Sequence, residues 1–234
     1  MCFNSTTSLV TFSLSLLCFV YLLYNGITYG NNYDIFAAVV TILIGGMQLI
    51  EYFLWKNQNC SNTNHIASML IVVLLYSQVV IESILFIYLF KGTSNLLNSF
   101  VLYVCIIYTF FTVYVLNWLK DKKLCSKPTK YSCRLAWAPM EALVKNYYGR
   151  ILLIVNLVFY LFLGVFSLGY FNFLYGEIFE GFLLYPIRYT ILPITFALAA
   201  AYCFVENGKY FVDIFGSFWC FIAILYGIIS CLHI

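Results

Sequence analysis

Residues 35–55 read IFAAVVTILIGGMQLIEYFLW, a run of twenty-one positions in which only Thr41, Gln48 and Glu51 are conspicuously polar. A helix of about 20 residues covers the roughly 30 Å of a bilayer's hydrocarbon, so this stretch predicts a transmembrane helix. Its apolar positions are continuous rather than alternating, which excludes the strands of an outer-membrane barrel. A helix is then the remaining way to satisfy every backbone group in lipid.

The same pattern recurs outward in both directions. Spans are predicted at about 8–24, 35–55, 66–90, 98–118, 151–170, 187–205 and 211–231. Breakers separate them: Asn25-Gly26 and Gly30-Asn31-Asn32 after the first, residues 57–64, polar apart from Cys60, after the second, and Lys91-Gly92-Thr93-Ser94-Asn95 after the third. Residues 206–210 leave room only for a tight hairpin between the last two. Composition agrees, with 64% hydrophobic, 21% aromatic and 9% charged residues, against about 25% charged in soluble domains. The expectation is one all-α membrane domain over 1–234, a bundle of about seven transmembrane helices. The first span does not read as a cleaved leader, because residues 1–10 hold no Lys or Arg and no small-x-small site follows.

Eight of the 12 Lys and Arg residues, Lys120, Lys122, Lys123, Lys127, Lys130, Arg134, Lys145 and Arg150, lie in or beside the long loop at 119–148. The positive-inside bias then predicts a cytosolic N-terminus and loop, with the C-terminus outside. The sequons Asn4-Ser5-Thr6 and Asn59-Cys60-Ser61 fall on that same side and argue the reverse if glycosylated. The loop's cations suit anionic lipid head groups, each worth about 1 kcal/mol near the surface. It carries no nucleic-acid signature, so the expected partner is the lipid bilayer and not nucleic acid. No sorting signal says which membrane holds the chain.

The nine cysteines show no secreted disulfide pattern. Cys18, Cys105, Cys203, Cys220 and Cys231 fall within spans, where a thiol packs as a small apolar group. Cys2, Cys60, Cys125 and Cys133, with His65, share one side and form a weak candidate metal set; Cys125 and Cys133 are too far apart for a zinc knuckle. A cytosolic position predicts that these thiols stay reduced.

An ionisable group inside a span costs about 2.5–3.5 kcal/mol unless paired, so the intramembrane polar residues are the candidate site. Gln48, Glu51 and Trp55 share one face of the second span at i, i+3, i+7, and Gln78 and Glu82 share one face of the third at i, i+4. Counted at about 1.5 Å per residue, Glu51, Gln48, Gln78 and Glu82 lie at depths of about 7, 12, 20 and 26 Å, steps of a ladder rather than a close dyad. Asn156 falls near the depth of Glu51, and Arg188 at the end of the sixth span is placed to pair with Glu82.

Two readings follow: a route for protons, ions or a small solute, or a structural or interaction protein whose buried groups only fix helix packing, at about 0.6 kcal/mol per interhelical bond. Catalysis is not expected. The two His residues, His65 and His233, sit at span ends, there is no nucleophile elbow, and residues 211–231 lack the lysine that a retinal protein needs. No cofactor is expected. Small residues Ala197, Ala199, Ala200 and Ala201 favour close helix contact within the chain or in a homo-oligomer.

Met1-Cys2-Phe3 with Ser5 and Ser8, Gln48-Leu49-Ile50-Glu51 with Trp55, and Gly216-Ser217-Phe218-Trp219-Cys220-Phe221 together resemble a family of uncharacterised polytopic membrane proteins from bacteria, protists and large DNA viruses. That family's opening reads Met-Cys-Phe-Ser-Ala, so Asn4 and Ser5 depart from it. The resemblance implies no activity. It implies that Cys2, Gln48, Glu51, Trp55, Trp219 and Cys220 belong to a shared pattern.

Overall fold

A computed structural model describes residues 4–90, 95–128, 135–167, 194–195, 197–199, 201, 219–221 and 223–232. Five helices in it are long and apolar enough to cross a membrane: α1 (Ser5–Tyr29), α2 (Asn32–Lys56), α3 (Asn62–Leu89), α4 (Asn95–Lys120) and α6 (Tyr147–Ser167). They correspond to the first five predicted spans; α1, α2 and α4 extend beyond the predicted range at both ends, and α3 and α6 at their N-terminal ends. The extension comes from capping. The Asn4 side chain accepts the Thr7 amide at 2.8 Å, Asn31 accepts that of Tyr33 at 3.0 Å, and Ser61 accepts that of Asn64 at 3.4 Å, so each helix starts before its apolar run does. Gly30, at φ 65°, closes α1 in the left-handed conformation that glycine adopts without strain. The predicted sixth and seventh spans lie mostly outside the described residues. What is described there includes a helical turn at 219–221 and the short helix α7 (Leu225–Cys231).

α1 and α2 form an intimate hairpin. Ser8, Thr11, Ser15, Leu22 and Asn25 line the buried face of α1 at steps of three, four and seven. A Cβ on Gly45 would stand 2.4 Å from the Cβ of Ser15, so only glycine allows α2 this close. On its other side α2 meets α3 and α7, where a Cβ on Gly227 would stand 2.5 Å from Thr41. α2 thus packs against α1, α3 and α7, and Gln48 and Glu51 on it are buried. At one end Phe36 meets Phe86 and Phe90 edge to face, and Tyr33 and Phe86 each meet Phe90 in tilted pairs. In the α4–α6 seam Tyr108 stacks on Phe159 at 5.0 Å between ring centres.

The long loop is a folded cap on the opposite end. β1 (Lys127–Pro128) pairs antiparallel with β2 (Leu135–Ala136), and α5 (Ala138–Lys145) follows at once. Leu124, Ser126, Leu135, Trp137 and Leu143 are all buried. Loop cations such as Lys120, Lys123 and Lys145 stay exposed. Apolar side chains spaced among the lysines therefore dock onto the ends of α2, α3 and α4, and the charge stays outside.

Candidate intramembrane polar site

Glu51 sits less than two turns from the capped end of α2 and is 1% exposed. Its Oε1 accepts the indole N–H of Trp137 at 3.0 Å. The cap thus reaches into the bundle to hold the carboxyl, and burial of Trp137 in the same apolar cluster as Met47, Leu54, Leu135 and Cys220 fixes the ring. Gln48 lies one turn deeper on the same face and is fully buried. Neither its Nε2 nor its Oε1 has a hydrogen-bond partner among the described residues, and the same holds for the buried Trp55 Nε1. Cys220 comes within electrostatic reach of Glu51, and Trp55, Trp219 and Cys220 belong to the apolar cluster that holds Trp137.

The second pair is wired differently. Gln78 on α3 donates from Nε2 to the Leu43 carbonyl at 3.2 Å and accepts from the Tyr160 hydroxyl at 3.3 Å. Glu82, one turn on, is 8% exposed. Next to it the Ser83 hydroxyl donates to the Leu163 carbonyl, tying α3 to α6. Tyr160 is within electrostatic reach of both Glu82 and Cys220, and its ring meets Trp219 edge to face at 6.3 Å. Tyr160 thus neighbours Glu82 and Cys220, and Cys220 neighbours Glu51. Asn156, one turn before Tyr160 on α6, accepts the Tyr108 hydroxyl at 2.8 Å in the α4–α6 seam. Arg188 lies outside the described residues.

The cap is locked by a junction centred on Asn64. Its Nδ2 donates to the carbonyls of Asn57 at 2.7 Å and Ser126 at 2.9 Å, while its Oδ1 accepts from the Ser126 amide at 2.9 Å and the Ser68 hydroxyl at 3.3 Å. The Ser126 hydroxyl in turn meets that of Ser68 and accepts the Ala138 amide, which starts α5. Beside the junction Cys60 and Cys125 form a disulfide, with Cα atoms 5.0 Å apart. This corrects the expectation of reduced thiols, and it withdraws two donors from the candidate metal set. His65 stands beside the bridge, Cys2 and Cys133 lie outside the described residues, and no group of three potential metal ligands occurs among the described residues.

Trp137, Tyr160, Asn64 and Ser126 were not singled out by the sequence. Trp137 carried one usable signal, a tryptophan directly before Ala-Pro in an otherwise basic loop. No family model, curated protein or solved structure matches the chain.

Proposed function

We propose that this is a multi-pass membrane protein of seven spans that takes a proton, a cation or a small hydrogen-bonding solute at Gln48 and Glu51 and relays it past Cys220 and Tyr160 toward Glu82. Gln48 carries the reading. A buried amide without a partner costs about 1–3 kcal/mol, whereas an interhelical hydrogen bond returns only about 0.6 kcal/mol. If packing were the sole requirement, an apolar side chain of equal size would serve better at position 48. A fully buried amide beside a buried carboxyl is the arrangement expected of a site that exchanges its own contacts for those of a solute.

Seven spans are supported by direction. α6 runs away from the capped end, and the chain from Cys220, beside Glu51, to Cys231, beside the Cys18 carbonyl, runs the same way. One return crossing within 168–218 accounts for both. Packing glue is the second reading, and Gln78 favours it, since its amide is already bonded on both sides.

The test is proton and potassium flux into liposomes holding the wild-type protein or its Glu51→Gln variant. We expect measurable wild-type flux that falls at least about tenfold in a variant with an unchanged melting profile, since a carboxyl that carries the charge has no substitute in an amide. Equal flux in both, or none in either, removes the transport reading.

A further inference from the structure

We infer that the capped end of the bundle, and with it the end of α2 that carries Glu51, faces an oxidising compartment. This inference stands apart from the transport reading, because it rests on the cap and not on Gln48. Cys60 belongs to the α2–α3 turn and Cys125 to the segment after α4, and their pairing is built by the packing around them. Asn64 binds the carbonyls of both Asn57 and Ser126, one from each of the two segments, and Cys60 itself is held at φ 54°, a left-handed conformation rare for a residue with a side chain. Forming the bond takes two protons and two electrons from the two thiols, and the electron acceptor is the disulfide of a thiol oxidase or isomerase, which becomes a dithiol. Such acceptors prevail in secretory, periplasmic and surface compartments, whereas cytosolic thiols are kept reduced.

The count of lysines opposes this orientation, and the geometry reduces its weight. Lys145 is paired with Glu141 and Lys122 lies 3.8 Å over the Trp118 ring, while the flanks of α1, within residues 1–34, contain no Lys or Arg to orient the first insertion. Both sequons lie at this end, and Asn59 is exposed. A structural disulfide is a chemical requirement, whereas charge bias is a tendency.

The experiment uses the full chain in sealed microsomes, with a site-specific protease sequence inserted after the exposed Asp121, between the two bridged cysteines. The expected result is no cleavage while the vesicles are sealed. After detergent we expect cleavage into two pieces that migrate together until a reductant is added. Cleavage of sealed vesicles overturns the orientation, and pieces that separate without reductant overturn the bridge. A polymer maleimide gives the same answer on the uninserted chain, compared with the Cys60→Ser/Cys125→Ser variant. The expected result is two extra tags only after both detergent and reduction. The two extra tags appearing on sealed vesicles with an impermeant reagent, or appearing without reduction, overturn it.

Discussion

Asn64 and Gln48 are both carboxamides, both fully buried, and they end in opposite conditions. Around Asn64 both amide protons and the carbonyl oxygen are engaged by Asn57, Ser68 and Ser126, whereas the Gln48 amide has no partner among the described residues. The difference separates two uses of polarity in one bundle. A satisfied amide fixes structure, because each bond removed leaves a desolvated group behind. An unsatisfied one weakens structure and is tolerated where something else gains from it.

The largest effect should come from Asn64→Leu. The substitution strands the Ser126 amide and two carbonyls in a buried junction, at about 1–3 kcal/mol per group. We expect a loss of about 3 kcal/mol or more, read as a fall in midpoint in a detergent or denaturant melt, with the cap released first. If the variant melts within about 0.5 kcal/mol of wild type, the junction is not the structural lock that the comparison makes it.

The two regions also differ in how far the sequence reveals them. The first five helices are legible because a run of 20 apolar residues needs no knowledge of its neighbours. Gln48 and Glu51 stand out for the same reason, through spacing along a single helix. Their surroundings were hidden because they are long-range. Trp137 meets Glu51 across 86 positions and Cys60 meets Cys125 across 65, and neither encounter follows until the ends of α2, α3 and α4 are placed side by side. From sequence the cap reads only as a basic loop suited to anionic lipid head groups, since its buried Leu124, Leu135 and Leu143 are scattered among lysines with no helical or strand period.

An intermediate effect is expected from Trp137→Phe, which keeps the ring in its apolar setting and removes only the N–H that Glu51 accepts. Leaving a buried carboxyl oxygen one donor short should cost about 1–3 kcal/mol, less than the Asn64 change. In liposomes the same variant should alter the rate of flux, since the cap's hold on the carboxyl is weakened. A melt and a flux both equal to wild type would make the Trp137–Glu51 bond incidental to the site.

The smallest effect on stability, and the sharpest comparison, comes from Gln48→Met set against Gln78→Met. Methionine matches glutamine in length and flexibility and carries no strong hydrogen-bonding group. At position 78 it breaks the bonds to the Leu43 carbonyl and the Tyr160 hydroxyl, so a loss of about 1 kcal/mol is expected. At position 48 no bond among the described residues is broken and a partnerless amide leaves the interior, so the melt should stay level or rise by up to about 1 kcal/mol. Flux should follow the opposite order, with Gln48→Met losing most of it although it is the more stable protein. That crossing of stability and activity is the mark of a binding group held at a cost to the fold. If Gln48→Met instead destabilises the protein as much as Gln78→Met does, position 48 is bonded in the membrane after all, and the two glutamines are the same kind of glue.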